Sequence, residues 1–203
     1  KAFWHNPLLP LMFLASAIAA GSATFLVVRA ILAGPALSTE DDAALVRLRA
    51  FALTALVAYF VMEFAELSVA LWNPYNHEHA VELMLFGPYG WIFWLVHVAA
   101  GGVAPACLLA GRRRGAWALG AILVAVTFVS ARLNVLIPGQ SIGEIRGLQD
   151  AFQHPRLTYL YSATAMEYQV GFLMLAVGIA VFYVGHRLSR AVSGFVKKGE
   201  VTP

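Results

Sequence analysis

Apolar residues in this chain run together in five long blocks, Pro7–Val28, Phe51–Trp72, Gly90–Leu109, Trp117–Ile137 and Met166–Tyr183. Each approaches the ~20 residues that a helix needs to cross a hydrocarbon core. A closed β-barrel, the other spanning solution, would instead show short segments of alternating polarity. The pattern predicts an all-α integral membrane protein, a bundle of five transmembrane helices with short interfacial helices in the connections. The transmembrane helical domain is expected over residues 1–190, with residues 191–203 as a basic cytoplasmic tail.

The connections carry weaker patterns. Ser38-Thr39-Glu40-Asp41-Asp42 reads as an N-cap followed by an acidic first turn, which predicts a short surface helix before the second span. Leu83-Met84-Leu85-Phe86 forms an apolar stripe able to dip into the interface before Gly87-Pro88 turns the chain. Ile142, Ile145, Leu148 and Phe152 have helical spacing and predict an amphipathic helix on the surface. In the first span, Ala15, Ala17, Ala19 and Gly21 offer small side chains for close helix approach. That block is longer than a signal-peptide core and lacks a basic leader, so it reads as a true span. Because the chain starts at Lys1 rather than Met, preceding sequence is expected.

Composition agrees with a membrane protein: 60% of residues are hydrophobic and 12% charged. The placement of charge adds orientation. With the N-terminal face named side A, side B holds ten basic residues: Arg29, Arg47, Arg49, Arg112, Arg113, Arg114, Arg187, Arg190, Lys197 and Lys198. Side A holds Lys1, Arg146 and Arg156. Side B is therefore expected in the cytoplasm and the N-terminus outside. The Arg112–Arg114 run fits a topology anchor in a tight turn, and no nucleic-acid partner is expected. Cys107 is the chain's single cysteine, which excludes an internal disulfide framework or a Cys-ligated iron–sulfur cluster.

Candidate chemistry lies in the few polar residues within the spans. Glu63 and Glu66 stand three apart on one helix face, about 14 and 9 Å below side A at the helical rise. His97 lies roughly 10 Å deep in the third span, as a satisfied core histidine or a participant in proton transfer. Arg132, near the end of the fourth span, either snorkels to the interface or pairs with a carboxylate, for which Glu167 at the start of the fifth is the candidate. Bis-histidine haem needs a second deep histidine, whereas His5 and His186 lie at span ends on opposite sides, so no haem is expected. His77, Glu78, His79 and Glu82 superficially resemble a metal site, but no further His/Cys pair completes the ligands and no metal is expected. Glu63, Glu66, His97, Arg132 and Glu167 all fall in the side A half of their spans. Together they predict a polar funnel opening outward.

Three motifs, in order, resemble one family. They are Asn6-Pro7-Leu8-Leu9-Pro10-Leu11-Met12-Phe13-Leu14-Ala15-Ser16-Ala17 with Gly21, Arg132-Leu133-Asn134-Val135 with Pro138-Gly139-Gln140, and Tyr161-Ser162-Ala163-Thr164-Ala165-Met166-Glu167. The chain is similar to the C-terminal portion of NrfD/PsrC-type (polysulfide reductase family) integral membrane subunits. The resemblance implies a membrane subunit of a respiratory quinone/quinol oxidoreductase complex in the bacterial inner (cytoplasmic) membrane. Implied partners are an iron–sulfur electron-transfer subunit and a catalytic redox subunit. The implied cofactor is a quinone or quinol, menaquinone or ubiquinone, bound mainly by residues outside this chain. Within that reading Glu63, Glu66 and His97 transfer protons, and Arg132 with Glu167 forms a structural ion pair. The alternative is a membrane anchor for soluble redox subunits with no part in quinone chemistry.

Overall fold

The computed structural model describes residues 7–33, 38–72, 78–142 and 163–199, with residues 147, 151 and 154. All regular structure among the described residues is helical. Five helices are long and apolar enough to cross a membrane, and the protein is an all-α, multi-pass integral membrane protein. It divides into two compact units, Lys1–Tyr159 and Leu160–Pro203.

The first unit is built on α1 (Leu9–Ala33) and α2 (Thr39–Trp72), which pack along one another. Apolar side chains gain no hydrophobic drive from association within lipid, so close approach and interhelical polar contacts must hold the bundle. In α1 the approach is made by Ala15, Ala19 and Ala23, buried together with Met12, Ser16 and Leu26. Gly21 and Ala17, expected to share that role, lie off the buried stripe. Their angular position explains this, since the stripe advances by three or four residues from Met12 and leaves both on the opposite side of the helix.

Two expected helices merge in α2. Ser38 caps its start, Oγ accepting from the Asp41 N–H at 3.1 Å and donating to the Asp41 carboxylate at 2.7 Å. The helix then continues without a break to Trp72. Neither Gly nor Pro occurs between Thr39 and Trp72, and Ala, Leu, Glu and Arg dominate the first turns, so nothing ends it early. At 34 residues it is about 51 Å long, well beyond the ~30 Å hydrocarbon core, so its charged N-terminal turns project on side B. There Arg29 pairs with Asp41, and Arg114 with Asp42 at 2.6 Å. Arg49 donates to the carbonyls of Leu109 and Ala110 and lies 4.7 Å over the Trp117 ring. Arginines that mark topology in the sequence thus also tie α2 to the elements beside it.

The third span differs most from expectation. Ile92–Val103 is a π-helix that continues into α4 (Ala104–Ala110). Bonding from i to i+5 widens each turn beyond 3.6 residues. Buried Phe93, His97 and Gly101 accordingly follow one another at intervals of four along one face. A Cβ on Gly101 would lie 2.8 Å from Thr127 Oγ1, and one on Gly102 would lie 2.5 Å from the Phe60 ring. These glycines admit α2 and the next span to close range.

That span is α5 (Arg114–Thr127) and α6 (Val129–Ser141), interrupted at Phe128. Thr127 Oγ1 donates to the Leu123 carbonyl at 2.7 Å, a back-bond that bends helices. Ser130 Oγ donates to the Thr127 carbonyl. Pro138, Gly139 and Gln140, expected to open a loop, remain inside α6. Proline removes one intrahelical bond, and within a membrane bundle a helix persists through it when the freed groups find other partners. Before the π-helix, α3 (Glu78–Phe86) buries Ala80, Val81, Met84 and Leu85. The last three of these cluster with Ala70 and Phe93 at the side A end, so Met84 and Leu85 of the apolar stripe pack against protein while its Phe86 stays exposed.

In the second unit, α7 (Ala165–Gly199) extends through most of the residues expected as a tail, and its residues through Arg190 are almost all exposed. Most of the predicted amphipathic helix at 142–152 lies outside the described residues, as does His77.

Candidate functional site

The bend at Phe128 turns Ser130 inward, the π-helix presents His97, and α2 presents Tyr59 and Glu63 on successive turns. These four side chains meet. His97 Nε2 lies 3.0 and 2.9 Å from Glu63 Oε1 and Oε2, and Nδ1 lies 3.1 Å from Ser130 Oγ. Tyr59 donates its hydroxyl to Glu63 Oε1 at 2.9 Å. His97 is wholly buried, Ser130 and Tyr59 nearly so, and Glu63 is 7% exposed. The rings of Tyr59, Phe60, Phe93 and Phe128 surround the imidazole with centroids 5.1 to 6.0 Å away.

The bonding fixes the proton count. Ser130 spends its hydroxyl proton on the Thr127 carbonyl, so its oxygen accepts from His97 and the imidazole carries its proton on Nδ1. One proton is then left between Nε2 and Glu63. It lies either on the carboxyl beside a neutral imidazole or on an imidazolium beside a carboxylate. Two bond lengths near 2.9 Å suit both states, and exchange between them displaces no heavy atom. The four side chains form a buried hydrogen-bonded cluster in which Glu63 and His97 share one proton, walled by aromatic rings.

Of the other sequence candidates, Glu66 lies one turn toward side A on the same buried stripe of α2 and is half-buried. Its Oε2 is enclosed, with no hydrogen-bond partner among the described residues. Arg132 turns to α1, with Nη2 3.5 Å from the Phe13 carbonyl and the guanidinium 4.0 Å over the Phe13 ring. Its Nη1 is buried without a partner among the described residues. Glu167 closes a capping box on α7, its Oε2 accepting from the Thr164 N–H at 2.7 Å and hydroxyl at 2.8 Å. Arg132 and Glu167 belong to different units.

Sequence reading missed Tyr59 and the aromatic walls, and it gave Ser130, a polar residue of the fourth span, no role. Tyr59 had a usable signal, one turn before Glu63 on the same face. Ser130 had none, because the bend that aims it comes from side-chain bonds to the backbone. The capping box of Thr164 and Glu167 was also missed, although its three-residue spacing is a sequence signature.

Residues 1–143 match the family described as polysulphide reductase, NrfD. A curated selenate reductase subunit from Mesobacillus selenatarsenatis is 26% identical over 204 residues, covering 99% of this chain and 47% of that protein. The chain thus spans about half the length of the curated relative it matches. No solved structure matches it significantly.

Proposed function

The chain belongs to the polysulphide reductase NrfD family, and from that membership we propose that it is part of the membrane subunit of a respiratory quinone/quinol oxidoreductase complex. In this reading it exchanges electrons with an iron–sulfur partner subunit, which is joined to a catalytic redox subunit, and conducts protons through its side A half. The proposal extends to the bacterial inner membrane as its location and to an outward-facing N-terminus. The observation that carries it is the one-proton site of Glu63 and His97, closed in by Tyr59 and Ser130 inside an apolar bundle. Quinone reduction consumes two protons for two electrons, so a membrane subunit that serves it needs groups able to accept and release protons away from bulk water.

The quinone ring itself does not fit the described residues. A cavity of about 380 Å³ lies between α2 and the π-helix, lined by Leu56, Phe60, Phe64, Val98, Gly102 and Ala106 among others. None of its lining side chains is a donor to a ring carbonyl, so this cavity is not assigned the ring. Glu66 exchanges protons toward side A, and Glu63 and His97 hold and relay them.

The test is quinol-linked turnover of the assembled complex. Glu63→Gln and Glu66→Gln are expected to lower turnover by about 10²-fold, the lower end for loss of a general acid–base group, with subunit assembly retained. Unchanged turnover removes the altered residue from the route. The anchor reading has its own support, because the same four side chains tie α2, the π-helix and α6 together. It predicts that Arg132→Ala prevents assembly while no carboxylate variant loses activity selectively.

A further inference from the structure

One turn toward side A from the proton site, two inward positions hold polar atoms that nothing described satisfies. Asn134 is 7% exposed and stands between Ser130 and Pro138 on the buried stripe of α6. Its Nδ2 is enclosed and has no acceptor among the described residues. Pro138, four residues on, has no N–H to give to the Asn134 carbonyl. A single residue therefore presents an unpartnered donor beside a carbonyl that lacks its usual i+4 bond. The counterpart on α2 is Glu66, between buried Glu63 and Ala70, with Oε2 enclosed and unpartnered. Arg132 Nη1 does not join them. Two residues from Asn134, its side chain lies on the face of α6 turned to α1.

Leaving such atoms bare is costly, and in native interiors they ordinarily bind water. The chemistry of the set narrows the ligand. An amide N–H repels a cation, a carboxylate repels an anion, and a molecule that both donates and accepts suits the two together. Val81, Met84, Leu85 and Phe93 form an apolar cluster at the side A end, so an inlet to the proton site needs polar groups along the α2 and α6 faces.

We propose that Asn134 and Glu66 hold internal water, and that this water is the proton inlet from side A to the Glu63–His97 site. The inference rests on the proton-transfer reading above. A proton arriving from side A adds to the Glu66 carboxylate. Glu66 then gives its proton to the internal water, which releases another of its own to Glu63, so the water is regenerated and one positive charge has moved inward.

The experiment reads hydrogen–deuterium exchange of the Glu63–His97 site by infrared difference spectroscopy on the resting complex in lipid. The bands are assigned by their loss in Glu63→Gln and His97→Gln. Asn134→Leu, close in size but apolar, is expected to slow exchange at least about tenfold, the effect of one lost polar contact on a rate. Asn134→Ser, which keeps a polar group and leaves room for water, is expected to exchange near the wild-type rate. Wild-type exchange in Asn134→Leu, or equal slowing in both variants, overturns the inlet. If Asn134→Leu does not assemble, radiolytic footprinting of the unaltered complex in ¹⁸O-water decides. Label on Phe93 or His97 supports a bound water, and absence of label rejects it. Exchange is read without electron flow, so a negative result leaves the turnover test of Glu63→Gln standing on its own.

Discussion

His97 uses both ring nitrogens, and its two neighbours have different worth. Ser130 accepts a neutral bond, while Glu63 shares a charge or a proton with the ring in surroundings where water cannot substitute. Removing one partner of a buried charged pair costs about 3–5 kcal/mol, whereas a single neutral hydrogen bond contributes about 1 kcal/mol. His97→Ala is therefore expected to destabilise the protein several-fold more, in free energy, than Tyr59→Phe. Thermal unfolding of the detergent-solubilised protein measures the difference, and equal losses would contradict a shared charge at Nε2. That Glu63 and His97 lie within spans and need partners was legible in the sequence, because an ionisable group in a long apolar run is costly to leave bare. Their contact was not, since it depends on the rotation of each helix about its own axis.

At the scale of elements, the π-helix decides which residues face inward. The close approach it permits depends on Gly102, where any side chain meets the Phe60 ring. Gly102→Val is expected to cost about 1–3 kcal/mol by overpacking. Shortening the opposing ring in Gly102→Val/Phe60→Leu should recover part of that loss, because residues in contact do not add independently. Additive losses in the melting of the two single variants and the pair would show that the clash is relieved elsewhere. Helix existence was readable from the apolar blocks, but extents were not. The start of α2 was foreseen from Ser38 and its acidic turn, while its fusion with the span followed from the lack of any breaker. The passage of α6 through Pro138 had no local signal at all, since proline ends most helices and persists in this one through its surroundings.

For the whole molecule, the arginines of side B carry the proposed orientation and also lock neighbouring elements. Arg49 closes the carbonyl end of α4, and Arg114 reaches Asp42. The Arg113 turn is expected on the cytoplasmic face. With Cys107→Ala as background, Arg113→Cys should react with a membrane-impermeant maleimide in inverted vesicles and resist it in right-side-out cells. The reverse pattern overturns the orientation. Reading the arginines from sequence predicts the side they occupy, because the charge bias acts on each loop separately. It gave no hint of their carbonyl and aromatic partners, which come from other helices.

By itself the sequence determined that this protein is an all-α membrane bundle, how its spans succeed one another and which deep polar residues need explaining. These follow from the length of apolar runs, the rise of the helix and the cost of ionisable groups in hydrocarbon. Tertiary structure decided the rest: that His97 takes Glu63 and Ser130 as partners, that Glu66 and Asn134 keep unsatisfied atoms one turn away, and that α3 packs apolar residues against Ala70 and Phe93. A π-register, a bend made by Thr127 and Ser130, and glycine contacts between helices set the rotations that bring these groups together. None of those rotations is encoded in the spacing of residues along a single helix.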